Sequence, residues 1–169
     1  AALVRGWAEV DPEAALRFVD AQPPGSSRAN QVRALVEILR RKHTGAGMDW
    51  LERLLARSDL SAPIRRELVV AAVGSAARFE PVGAAAWLSP RVGAAEIPGA
   101  IAALAAEWGA LDPPGAAAWL MSLPVSAERD RALQDLYRFW SARDPQQAER
   151  WRSESSRKPR ADSRAGARP

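Results

Sequence analysis

Residues 108–119 read WGALDPPGAAAW, and residues 140–151 read WSARDPQQAERW. The two strings lie 32 residues apart and share the form Trp-x-x-x-Asp-Pro-x-x-Ala-x-x-Trp. A residue before proline is driven out of the helical region, so a helix running into this pair stops at the Asp. Asp is also a good N-cap, and proline in the first helical position loses no hydrogen bond, so a second helix starts at the same place. The string therefore encodes a helix, a sharp joint and another helix.

The same pattern runs along the chain. Trp87, Trp119 and Trp151 recur every 32 residues, as do Trp108 and Trp140. Carried backward, the lattice pairs Trp7 with Phe18, Leu39 with Trp50, and Ala76 with Trp87, each eleven apart. The intervals between units are 32, 37, 32 and 32, which puts a five-residue insertion between Trp50 and Ala76. Asp11-Pro12, Asp112-Pro113 and Asp144-Pro145 form the joint fully, and Glu80-Pro81 forms it without the preferred cap. One unit has His43-Thr44 in their place. Ala15, Gly47, Ala84, Ala116 and Ala148 share one small slot, where lack of bulk lets the second helix approach its neighbour.

Upstream of each joint lies an amphipathic stripe with spacings of three and four. The stripes are Val32, Leu35, Val36 and Leu39; Val69, Ala72, Val73 and Ala76; Ile101, Leu104, Ala105 and Trp108; and Leu133, Leu136, Tyr137 and Trp140. Ser61 and Ser126 are placed as N-caps. Few β-branched residues and no sustained alternation leave no strand signal. The fold class expected is all-α: a right-handed α-solenoid of about 32-residue helical hairpins, roughly five partial or complete units, over residues 1–151. Leu3, Val4 and Trp7 match only the last turns of a first helix, so the array is expected to begin mid-repeat, as a fragment of a longer one.

The Asp-Pro-x-x-Ala-x-x-Trp string resembles the junction of tetratricopeptide repeats, and the whole plan resembles a divergent bacterial member of the TPR-like and HEAT-like helical repeats. Its period is shorter than the usual 34, and Pro124 falls five residues after Trp119. The resemblance implies a scaffold that presents an extended face to another protein or peptide.

Composition limits the chemistry. The chain has 169 residues, 47% hydrophobic and 26% charged, which is globular. Its net charge of +4 comes from 24 basic and 20 acidic residues. Residues 152–169, RSESSRKPRADSRAGARP, hold six of the basic and two of the acidic groups, so the body is neutral and the excess sits in the tail. That tail has no large apolar residue and is expected to be disordered. With no cysteine and one histidine there is no recognisable metal, cofactor or catalytic set. His43 reads as a drifted cap. Gly45-Ala46-Gly47 lacks the Gly-Lys-Ser/Thr of a phosphate loop. No apolar run is long enough for a membrane span.

Trp7, Phe18, Trp50, Trp87, Trp108, Trp119, Trp140 and Trp151 read as packing spacers of the repeat. The favoured function is a non-enzymatic protein–protein scaffold. The alternatives are a HEAT-like binder of nucleic acid or another polyanion, using Arg40, Arg41, Arg65, Arg66, Arg157 and Lys158, and a spacer or regulatory arm of a larger enzyme. The neutral body argues against nucleic acid. Polyanion affinity should lie after Trp151 and fall steeply with salt. A chain ending at Trp151 is expected to keep its fold and lose heparin retention; tight binding by the truncated body at physiological salt would overturn this.

Overall fold

The computed structural model describes residues 2–42, 48–95 and 97–157. Among them lie ten α-helices and no strand: α1 (Ala2–Val10), α2 (Pro12–Asp20), α3 (Ser26–Lys42), α4 (Asp49–Leu55), α5 (Ala62–Ala77), α6 (Pro81–Leu88), α7 (Ala100–Leu111), α8 (Pro113–Ser122), α9 (Ala127–Arg143) and α10 (Pro145–Arg157). A 3-10 turn at Ser89–Arg91 follows α6. The all-α class is as expected. His43, Gly45 and Gly47 lie outside the described residues.

Four joints share one geometry. Asp11, Glu80, Asp112 and Asp144 all sit near φ −140°, at −136°, −137°, −142° and −143°. Each donates its N–H at 2.8 Å to the carbonyl four residues back, closing the first helix. Each also accepts at 3.0–3.1 Å from the N–H four residues on, opening the second. The three aspartates add side-chain caps: Asp11 accepts from Ala14 N–H at 2.9 Å, Asp112 from Gly115 at 3.1 Å, and Asp144 from Gln147 at 2.9 Å. Glu80 makes no such bond, because its longer side chain overshoots the first turn. Ser61 and Ser126 cap α5 and α9 through Ile64 N–H and Arg129 N–H.

Neighbouring helices pack in a regular order. Along the first helices, α1 packs on α3, α3 on α5, α5 on α7 and α7 on α9. The second helices α2, α6 and α8 each pack both on their own first helix and on the next one, and α10 packs on α9. The apolar stripes lie inside this arrangement: Leu35, Leu68, Val69, Val73, Ile101 and Leu104 are fully buried. So are Ala15, Ala84, Ala116 and Ala148, leaving no room for a larger side chain in that slot. The residues eleven apart touch directly. Ring centroids are 5.5 Å apart for Trp7–Phe18, 6.2 Å for Trp108–Trp119 and 5.7 Å for Trp140–Trp151.

Two departures have physical causes. The helix after Trp151 continues six residues into the stretch expected to be disordered. Glu149 pairs with Arg152 one turn on at 3.0 Å, and no helix breaker intervenes before Pro159. The boundary of the folded body therefore lies no earlier than Arg157, and the truncation that spares the fold is a cut after Arg157 rather than after Trp151. At the other departure α7 starts late, after the 3-10 turn and a loop. Gly99 there has φ +89°, a left-handed conformation that favours glycine, and its N–H is bound by Glu128 of α9 at 2.7 Å.

Trp119 is 8% exposed and lies against both Trp108 and the preceding hairpin. Trp119→Ala should cost about 3–5 kcal/mol through the cavity left behind, and Ala116→Leu about 1–3 kcal/mol through overpacking. Urea unfolding midpoints check both.

Candidate functional site

On the side of α3, α5 and α7 away from the second helices the packing leaves a groove of about 1120 Å³. Its origin is visible in the repeat register. Ala34, Ala71 and Ala103 hold one equivalent position on the three helices, and Gly74 and Ala106 hold another. Residues without bulk at these positions lower the floor between the helices. A Cβ built on Gly74 would meet Ala103 Cβ at 3.8 Å, an ordinary contact, so the space is open rather than sterically required. Val70 and the exposed Phe79 add apolar surface, and the Arg40 guanidinium lies 4.7 Å from the Phe79 ring centroid.

The walls carry charge. Glu37 of α3 is a hub: it accepts from Ser75 Oγ at 2.7 Å, from Arg40 at 3.2 Å and from Arg78 at 3.1 Å. Burial works to raise its pKa, but the Ser75 hydroxyl and the two guanidinium groups outweigh it and hold the carboxyl below its ordinary value. Arg78 also lies 3.9 Å from Glu107 of α7, so α3, α5 and α7 are bridged across the floor. At the other end Glu67 is bound by Arg28, which is 4% exposed and donates through Nε at 3.0 and 3.2 Å and through Nη2. Arg28 Nη1 additionally donates to Gln22 O at 3.0 Å, tying the α2–α3 turn to α5.

Once these pairs form, the three glutamates of the lining are satisfied and two arginines are left over. Arg33 bonds only Asn30 on its own helix, and Arg66 has no hydrogen bond or ion pair among the described residues. Both are exposed at the same end of the groove, and Phe79 lies at the other.

The described residues of the polyanion set have different partners. Arg40 belongs to the Glu37 hub, Arg41 bonds Glu9 at 3.1 Å, and Arg65 donates to Arg57 O at 2.6 Å. Arg66 lines the groove. The side chain of Arg157 and all of Lys158 lie outside the described residues. Of the packing positions, Trp50, Trp108, Trp119 and Trp140 are buried, Trp87 and Trp151 half-buried, and Trp7 and Phe18 exposed by 38% and 37%. A smaller cavity of about 260 Å³ lies between α2 and α4, beside Leu16, Leu39 and Trp50.

Sequence reading missed Arg28, Arg33, Glu37, Glu67, Arg78 and Glu107. The available signal was the recurrence of Ala and Gly at register positions facing away from the apolar stripe. Among the described residues there is no group of three or more His, Cys, Asp or Glu side chains placed to hold a metal ion. No described helix is long and apolar enough to cross a membrane. Comparison with known proteins finds no matching family model, no significantly similar characterised protein and no significantly similar solved structure.

Because the folded Glu37 pKa is depressed, its contribution is complete above the unfolded carboxylate pKa of about 4.3 and fades as pH falls through the folded value. Wild type should therefore lose more stability than Glu37→Gln between neutral pH and pH 3, read by urea unfolding at each pH.

Proposed function

We infer that the chain is a non-enzymatic interaction scaffold, an α-solenoid of stacked helical hairpins that binds another polypeptide along the α3–α5–α7 face. The observation that carries this reading is the groove: it crosses three successive first helices, has a floor of small residues, and ends in charged walls. A floor kept low by Ala34, Ala71, Gly74 and Ala106 accepts a chain lying across the helices, which is how an extended face gains contact area without deep burial. The packing order supports the solenoid reading, since each hairpin packs on the next in the chain.

The surplus cations orient the ligand. Arg33 and Arg66 suit a carboxylate at one end, and Phe79 suits an apolar side chain at the other. The expected ligand is a short peptide segment with an acidic residue or terminus several residues away from an aliphatic or aromatic one.

Peptides selected from a random library on the full chain should show this pattern. Their binding should fall at least tenfold with Gly74→Leu or Ala106→Arg, and with Arg66→Glu for the acidic members. Ala118→Arg, on the exposed side of α8, should leave binding unchanged. Selected peptides indifferent to all three groove substitutions would overturn the assignment.

A further inference from the structure

The α3–α4 unit breaks the repeat register twice. No Asp-Pro or Glu-Pro joint precedes α4, and Leu39 stands where Trp7, Trp108 and Trp140 supply the first ring of an aromatic pair. Among the described residues no second ring lies against Trp50. Ala76 is also small, but there the Arg91 guanidinium lies 4.4 Å from the Trp87 ring centroid and covers it. The register equivalent of Arg91 beside Trp50 is Leu54, which brings no such group. The cavity of about 260 Å³ between α2 and α4 opens at this position, with Leu16, Leu39, Trp50 and Leu54 in its apolar wall. Its volume is just below the roughly 300–1,000 Å³ of ordinary ligand pockets, which is room for one ring and not for a nucleotide.

Two polar groups at this cavity have no partner. Trp87 and Trp119 donate their indole N–H groups to Glu52 at 2.6 Å and to Ser89 at 3.1 Å. In the same register the acceptor for Trp50 is Asp20. The Asp20 carboxylate is taken up instead by Ser61, through its N–H at 3.0 Å and its hydroxyl. Trp50 is 4% exposed, yet its indole N–H has no hydrogen bond among the described residues. That nitrogen is not one of the partnerless side-chain atoms sealed from solvent, so it borders accessible space. Arg53, at the mouth, has no hydrogen bond or ion pair among the described residues. Its neighbours are neutralised: Arg57 pairs with Asp59 at 2.8 Å and Glu13 at 3.3 Å, and Glu13 also lies 4.0 Å from Arg17. Three guanidinium groups thus meet two carboxylates, which leaves one positive charge. Trp50 and Arg53 are three residues apart on α4 and share one side of it.

We propose that this cavity is a binding site for a small aromatic carboxylate. The ring takes the place that a paired aromatic side chain takes in other units and packs on Trp50, while the carboxylate accepts from the Trp50 N–H and pairs with Arg53. A neutral ligand would satisfy the indole but leave the guanidinium uncompensated. A second carboxylate on the ligand would meet Glu13, which lines the same mouth. The cavity shares no lining residue with the α3–α5–α7 groove, so the proposal does not rest on the groove.

Hydrocinnamate, a single ring with one carboxylate, is the probe, and hydrocinnamyl alcohol is its uncharged counterpart. Both are titrated into the full chain by calorimetry and by NMR of the indole N–H signals, with the Trp50 signal assigned by its loss in Trp50→Phe. The acid should bind more tightly than the alcohol and move the Trp50 signal. Arg53→Gln should weaken the acid about tenfold, the cost of one charge-assisted hydrogen bond, and leave the alcohol unchanged. Leu39→Trp installs the ring that other units carry and should abolish binding of both. Where that variant loses helical circular dichroism, Leu54→Trp is read in its place. Gly74→Leu, in the groove, should bind the acid as wild type does. A peptide with a free C-terminal phenylalanine carries the same ring and carboxylate, and either result with it supports the site: binding tighter than hydrocinnamate assigns the ligand to a chain terminus, weaker binding to a free acid. No binding of hydrocinnamate, equal binding of acid and alcohol, an unmoved Trp50 signal, binding that survives the filled cavity, or binding lost with Gly74→Leu each overturns the proposal.

Discussion

One backbone arrangement sets the rest of the molecule: a residue held near φ −140° whose N–H closes one helix while its carbonyl opens the next. Proline after it forbids the helix from running on, and the fixed geometry makes the turn the same in four places. Identical joints give hairpins of similar shape, and hairpins of similar shape can pack on one another with the same side chains in register. An isolated hairpin could not bury its apolar stripe. Leu68, Leu104 and Leu120 reach full burial only because the helix on one side belongs to the same unit and the helix on the other to the next. The aromatic pairs eleven residues apart measure the result, since three of them return ring separations between 5.5 and 6.2 Å.

This dependence explains why the helices were legible in the amino-acid sequence. The Asp-Pro pairs are strong local signals, and their spacing is short enough to compare by eye. Signals that are weak locally were read less well. Nothing in the Arg152–Arg157 stretch favours burial, and composition alone made it a tail, but a helix already started at Pro145 propagates one residue at a time and meets no Gly or Pro there. The start of α7 at Ala100 follows Pro98-Gly99, a pair that breaks a helix. Its explanation is Glu128, which reaches back from the next hairpin to bind Gly99 N–H.

The groove was harder to read because it is made of absences. Ala34, Ala71 and Ala103 look like ordinary helix formers, and only their coincidence on neighbouring helices turns small side chains into a channel. Charge misled in another way. A body with equal numbers of acidic and basic residues has no long-range field to speak of, yet neutrality over the whole says nothing about a single face. Around the groove Arg28, Arg40 and Arg78 consume the carboxylates of Glu67, Glu37 and Glu107, and this leaves Arg33 and Arg66 uncompensated at one end. Pairing has to be known before surplus can be counted, and pairing is a property of the fold. Arg28 and Glu67 are 39 residues apart in the chain.

The same register that hides the groove sets the α9–α10 hairpin apart from the others. A position occupied by Val, Leu, Leu and Leu in four units and by Arg in the fifth would pass unnoticed in a composition count. In a stack it carries a definite physical meaning. Burying Arg152 where Leu120 sits would strip a guanidinium of water, whereas its exposed position keeps it hydrated and paired with Glu149. The substitution is therefore tolerable only on a face that nothing apolar covers.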